Sequence, residues 1–510
     1  MSSKERSIKN KTLCIKANNP LFLRNITISY SYSISGRRLS VLKILKSLTG
    51  AVFFCLCFLT IAILLGVMII EHYFPDTTFN QMFFHALYID GEQLSFYYTE
   101  IAGVFFISLL AAVIIYKWPL TILIFALFFY RAFNQPIKVS DIEVDKEISL
   151  RKQILLSLQW SDIYERYYKI SSLQKPKKPK NIILIFAESI EDNFSDENYW
   201  GENLIPYLSV LKKEGVSFRG YKSINGTNWT IASNVATFCG VPIRVHLRDL
   251  LGPQTEHFLP GAECLPDMLH KVGYHNVFST GTYISFVGTD VFIKEHHFDE
   301  VFGRDELIEQ NFASDDDIGL EEYGINDTAM FEFARKKISE LSSRRQPFFI
   351  SIQTLDTHFP SGYVHSSCET KYGDTRDAIK CSDKIIYDFI KWCQNQDFYA
   401  DTTIIIVGDH LMMTSSDIAE QSEVYPQREI YSVILEQNIK PQTIFKPYSM
   451  FDWSATIADK AGIISGPYLG LGVSLLRNDE TLAERLGAQK LEEEVLKNSG
   501  KYNELLGINL

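Results

Sequence analysis

Apolar positions along this chain fall into three regimes. Before residue 134 they form long runs: Leu48–Ile70 and Ile101–Tyr116 carry no charge, and Leu120–Phe133 is interrupted only by Arg131. Runs of this kind cross a hydrocarbon core as helices, so about three transmembrane helices are predicted, the third of them short. Between residues 136 and 175 apolar residues (Ile142, Val144, Ile148, Leu150, Ile154, Leu158, Trp160, Ile163) are spaced among charges. That spacing suits amphipathic helices on a membrane surface or against a neighbouring domain. Lys175-Pro176-Lys177-Lys178-Pro179-Lys180 then reads as a stiff basic linker.

Beyond the linker, short buried-type runs alternate with helical ones. Asn181–Ala187, Val216–Tyr221, Tyr274–Phe278, Pro347–Leu355 and Thr403–Gly408 are predicted strands. Leu204–Leu211 is a predicted helix with Pro206 in its first turn and Gly215 as its C-terminal cap. Thr230–Phe238, Cys264–Val272 (ending at Gly273) and Ala329–Leu341 are further helices. This order implies an α/β domain with a mainly parallel sheet flanked by helices on both faces. The expected organisation is a basic cytoplasmic tail (1–46), a membrane domain (47–133), juxtamembrane helices and linker (134–180), a catalytic domain (181–478) and a C-terminal helical tail (479–510).

Charge sets the orientation. The tail carries Lys4, Arg6, Lys9, Lys11, Lys16, Arg24, Arg37, Arg38, Lys43 and Lys46 against Glu5 alone, which holds it in the cytoplasm. The first apolar run is too late and too long for a cleaved signal peptide. Three crossings deliver everything after Gln135 to the outer side; two would leave it in the cytoplasm. The formal net charge of −11 argues against nucleic acid as a partner. Cys368 and Cys381 lie close together in a stretch rich in Gly, Asp, Lys and Ser, as a disulfide in an oxidising compartment would, the alternative being buried free thiols.

In open α/β sheets ligands bind beyond the carboxyl ends of the strands. One predicted strand closes in Glu188 and another in Asp409-His410, so three metal-capable side chains share one crevice. The turn Gly226-Thr227-Asn228-Trp229-Thr230 opens a short helix and offers a hydroxyl as fourth ligand. An Asp-His pair or a Glu at a strand end is commonplace alone; their combination with a Gly-flanked Thr points to a metal-activated threonine nucleophile. Two carboxylates, an imidazole and a hydroxyl suit Mn2+, Zn2+ or Mg2+ alike.

These residues carry a resemblance. Glu188-Ser189, Gly226 to Ala232, Cys239-Gly240-Val241-Pro242, Cys264-Leu265-Pro266-Asp267, Phe286 to Lys294, Asp356-Thr357-His358-Phe359-Pro360, Asp409 to Met413 and Tyr468 to Gly472 follow in order within residues 75–475. They resemble the phosphoglycerol transferase I family of Gram-negative bacteria. That family belongs to the alkaline phosphatase/sulfatase superfamily, with lipoteichoic acid synthases and phosphoethanolamine transferases as relatives.

The resemblance implies that Glu188, Asp409 and His410 bind one divalent metal ion, with Thr230 as nucleophile and fourth ligand. Sulfatases place the nucleophile ten residues before a Gly with a Ser three residues after it, as Thr230, Ser233 and Gly240 stand here. An alignment on lipoteichoic acid synthases alone selects Thr227 instead. His358 corresponds to a His near the substrate phosphate, able to steady charge or protonate the leaving oxygen. Cys239–Cys264 and Cys368–Cys381 correspond to the family's disulfides, leaving Cys393 unpaired. The further His that follows the Asp-His pair in several phosphoethanolamine transferases has no counterpart here, so a second metal is not implied.

The activity implied is a membrane-bound transferase. It moves phosphoglycerol from phosphatidylglycerol, through a phosphothreonine, onto an envelope glycan, in a multi-pass protein of the bacterial inner membrane with a periplasmic catalytic domain. The rival transfers phosphoethanolamine from phosphatidylethanolamine to lipopolysaccharide or lipooligosaccharide. The family's chains run well beyond the counterpart of Leu510, which keeps lipopolysaccharide beside periplasmic glucan as an acceptor. A hydrolase using water is the remaining class. Sulfatases convert a Cys or Ser nucleophile to formylglycine, and Thr230 is neither.

Overall fold

The computed structural model describes residues 156–244, 257–319, 324–413 and 416–508, together with 33–34, 37–38, 58, 103–105 and 107–109. The chain divides into two units, one of residues 1–66 with 101–136 and one of 67–100 with 137–510. In the first, Ser33–Ile34 and Arg37–Arg38 pair antiparallel. Apart from such positions, the basic tail, the three apolar runs and residues 134–155 lie outside the described residues. Among the described residues no helix is long and apolar enough to cross a membrane.

An eight-stranded sheet organises the second unit: β1 (Asn181–Ala187), β2 (Val216–Tyr221), β3 (His275–Thr280), β4 (Glu300–Phe302), β5 (Phe348–Gln353), β6 (Thr402–Gly408), β7 (Ser432–Leu435) and β8 (Gln442–Tyr448). The spatial order is β8-β2-β7-β6-β1-β5-β3-β4. β1 is hydrogen-bonded in parallel to both β6 and β5. Side chains alternate between the faces of a strand. Ile182, Leu184 and Phe186 therefore enter one core while Ile183, Ile185 and Ala187 enter the other. A strand covered on both faces has no polar alternation to show, which is why β1 reads as one apolar run.

Six helices matter for the site: α1 (Pro206–Glu214), α2 (Thr230–Cys239), α3 (Leu265–Lys271), α4 (Asp327–Ser342), α5 (Thr375–Gln394) and α6 (Asp452–Lys460). Val235 of α2, Leu269 of α3 and Trp453 of α6 pack in one core. Leu208 of α1, Phe333 of α4 and Phe389 of α5 pack in the other. Helices thus cover both faces.

Three differences from the sequence expectations have physical causes. The sheet is mixed, because β7 runs antiparallel to β2 and β6; all four of its residues are buried, and a run buried on both sides carries no mark of direction. Gly215 follows α1 but is extended (φ −128°) rather than a left-handed cap. Its role is space, since a Cβ there would lie 2.4 Å from the Ile434 carbonyl oxygen of β7. Cys381 belongs to α5, while Cys368 lies in the loop before it.

The segment before β1 docks on the unit. Lys169–Ile170 pairs with Tyr468–Gly470, and the Tyr164 ring lies 5.0 Å from that of Tyr502. The closing helices Leu482–Leu486, Ala488–Val495 and Gly500–Leu505 bury Leu491, Val495, Tyr502 and Leu505 in the core that holds α2.

Candidate active site

The parallel register of β1 and β6 pairs Ala187 with Gly408, so the next residues, Glu188 and Asp409, emerge side by side. Gly408 is required here. A Cβ on it would lie 2.2 Å from the Ile190 carbonyl oxygen, where the chain leaving β1 doubles back. Glu188, Asp409 and His410 are all buried, and one ligand atom from each falls within 4.8 Å of the others. His410 Nε2 is 3.6 Å from Glu188 Oε1 and 3.7 Å from Asp409 Oδ2.

Thr230 is the first residue of α2. Its Oγ1 lies 3.4 Å from Glu188 Oε2 and 3.5 Å from His410 Nε2. Thr227, the alternative, is fully buried and donates its hydroxyl to the Ile224 carbonyl at 2.8 Å. That bond closes the turn ahead of α2, which the Ile243 N–H also braces by donating to the Gly226 carbonyl at 2.8 Å. The disulfide Cys239–Cys264 ties the far end of α2 to the residue that opens α3.

Backbone and side-chain donors set the direction of each ligand. Asp409 Oδ1 accepts from the Ser189 and His410 N–H groups, each at 2.9 Å. Asp409 Oδ2 is left facing the cluster, held by Gln353 Nε2 at 3.0 Å. Glu188 Oε1 accepts from Ser189 Oγ at 2.8 Å. His410 Nδ1 lies 2.9 Å from the Leu411 carbonyl, which only an Nδ1–H can satisfy, so in the neutral ring Nε2 presents a lone pair to the cluster. Burial pushes the Asp409 carboxyl up to about 7, and the neighbouring Glu188 carboxylate adds to the shift. For His410 burial pulls the other way, but Asp409 and Glu188 outweigh it and raise the imidazole.

The donor set fits a divalent cation: two carboxylates, an imidazole in the correct tautomer and a hydroxyl converge on one point. Without positive charge the two acids crowd each other, as the Asp409 shift reflects.

His358 is outside this cluster. It sits in the loop after β5, where Nδ1 lies 2.9 Å from the Phe359 carbonyl and the ring stacks on Phe359 at 4.3 Å. The same loop grips Glu188 from both sides: the Glu188 N–H donates to Thr354 Oγ1 at 2.8 Å, and Thr357 Oγ1 donates to the Glu188 carbonyl. Gln353 and Thr354 were not singled out in the sequence, and Ser189 and Thr357 stood there only within motifs, with no role assigned. The available signal was position, since each is a polar residue at the carboxyl end of a buried strand, as Glu188 is. Both disulfides expected from the resemblance are present, and Cys393 is free and buried.

The sulfatase family profile matches residues 180–463. Phosphoglycerol transferase I of Escherichia coli O127:H6 is 32% identical over 320 residues, covering 61% of this chain and 41% of that protein. The same enzyme from Escherichia coli SMS-3-5 is equally similar over the same shares. The chain therefore spans about two fifths of the length of these relatives. Among solved structures, an alkaline phosphatase superfamily protein from Vibrio parahaemolyticus is 19% identical with a TM-score of 0.49, covering 66% of this chain and 81% of its own. With more than half of its residues matched by the family profile, the chain belongs to the sulfatase family.

Proposed function

We propose that this chain is a membrane-tethered phosphotransferase that moves the phosphoglycerol headgroup of phosphatidylglycerol onto an envelope glycan, with Thr230 as nucleophile. The observation that carries this reading is the Thr230 hydroxyl, 3.4 Å from Glu188 and 3.5 Å from His410. The relatives named phosphoglycerol transferase I support the choice of headgroup.

Glu188, Asp409, His410 and Thr230 would hold one divalent cation. When bound, it would lower the pKa of the Thr230 hydroxyl and draw charge from a phosphoryl oxygen. Thr230 Oγ1 releases its proton to water as it attacks the headgroup phosphorus, the bond to the diacylglycerol oxygen breaks, and diacylglycerol leaves with a proton from a donor that is recharged from water. His358, oriented by the Phe359 carbonyl, is the proposed proton donor. The N–H groups opening α2 face the crowded phosphoryl oxygens. An acceptor hydroxyl then attacks the phosphothreonine, its proton returns to Thr230 Oγ1, and the cycle closes in ping-pong fashion.

The proposed location is the inner membrane of a Gram-negative bacterium, catalytic domain in the periplasm. Two disulfides in the catalytic unit support an oxidising compartment. The test is transfer from phospholipids labelled in the headgroup. Glycerol label entering the envelope glycan, with no ethanolamine label, is expected. Ethanolamine label alone would establish the phosphoethanolamine rival, and diacylglycerol release without any acceptor would establish a hydrolase.

A further inference from the structure

Gln353 ends β5 and is nine-tenths or more buried, at 3% exposure. The register sets it level with Phe186 of β1, which in turn pairs with Val407 of β6. Its side chain reaches past the end of β1 to place Nε2 3.0 Å from Asp409 Oδ2, and the same nitrogen lies 3.3 Å from the Thr354 carbonyl. Both Nε2 hydrogens are thereby used, and the amide has one orientation. Reversed, its oxygen would oppose the lone pairs of both acceptors.

This orientation has a cost. Gln353 Oε1 is buried with no hydrogen-bond partner among the described residues. A buried acceptor without a protein partner is unfavourable unless water or an ion satisfies it. The two oxygens of Asp409 show what the amide donor does. Oδ1 is saturated by two backbone N–H groups, while Oδ2 is the oxygen turned toward His410 Nε2. Gln353 is the side chain that fixes Oδ2, and it does so with a donor that leaves the carboxylate's charge intact.

We propose that Gln353 is a positioning residue of the cation site, holding Asp409 Oδ2 in the direction that receives a divalent ion. This rests on the metal-site reading above. Hydrogen-bonded partners of metal ligands typically contribute 10–100-fold in affinity. A residue serving only the fold would change thermal stability and leave cation affinity alone.

The test is Mn2+ titration by calorimetry of the full-length chain in detergent, with no substrate. Gln353→Met keeps the volume and removes the donor; Gln353→Leu removes it with a shorter, branched apolar chain. Both are expected to bind Mn2+ at least tenfold more weakly than the wild type. Should one variant fail to fold, the other decides. Affinities within twofold of the wild type would overturn the role of Gln353 alone. A wild-type chain that binds no Mn2+ would instead overturn the metal reading of the site and this inference with it.

Discussion

Thr227 and Thr230 flank the same turn, and their hydroxyls have different work. Thr227 closes the turn through the Ile224 carbonyl, whereas Thr230 faces Glu188 and His410. Thr230→Ala is expected to lower headgroup transfer by about a thousandfold or more while leaving the melting temperature near that of the wild type. Thr227→Ala is expected to cost about 1 kcal/mol of stability in urea unfolding and to retain transfer within a few-fold. Spacing alone left these two residues open; the geometry favours Thr230, whose hydroxyl lies beside Glu188 and His410 while that of Thr227 is spent on the Ile224 carbonyl. Asp409 adds a pH signature. Its carboxyl titrates at about 7 without a cation, and a ligand must be deprotonated to bind. Below that pH protons compete with the ion at Asp409, and the raised His410 imidazole adds a second competing proton, so Mn2+ affinity is expected to fall by about tenfold to a hundredfold per pH unit from 7 to 5. Calorimetry across that range checks the sign.

Among the elements, those with a single unbroken pattern were legible and those defined by partners were not. β1 and β6 stood out because both faces are covered, and their terminal residues Glu188, Asp409 and His410 could be picked from the run that precedes them. α1 was marked by Pro206. β7 was invisible as an antiparallel strand, because four buried residues carry no direction. Gln353 was invisible as part of the site because its contact with Asp409 depends on which strands are neighbours. Gly215 shows the same limit: its position after a helix suggested a cap, but the determinant is the close passage of β7. Gly215→Ala is expected to destabilise the protein by about 1–3 kcal/mol in urea unfolding through overpacking against the Ile434 carbonyl. Mn2+ affinity should be unchanged, since the site lies on other strands.

At the scale of the whole molecule, the proposed chemistry requires the buried cluster to meet phospholipid headgroups on the outer side of the membrane. The basic tail and three apolar runs predict that topology, and the two disulfides of the catalytic unit suit it. Periplasm-dependent reporter fusions are expected to be active after Lys180 and inactive after Lys117; activity after Lys117 with silence after Lys180 would reverse the orientation. The most direct test of the central claim is mass spectrometry of the full-length protein incubated with phosphatidylglycerol and Mn2+, followed by peptide mapping. A glycerophosphoryl group on Thr230, removed when acceptor glycan is added, is the expected result. Transfer that proceeds with no adduct on Thr230, or with the adduct on Thr227, would contradict the account.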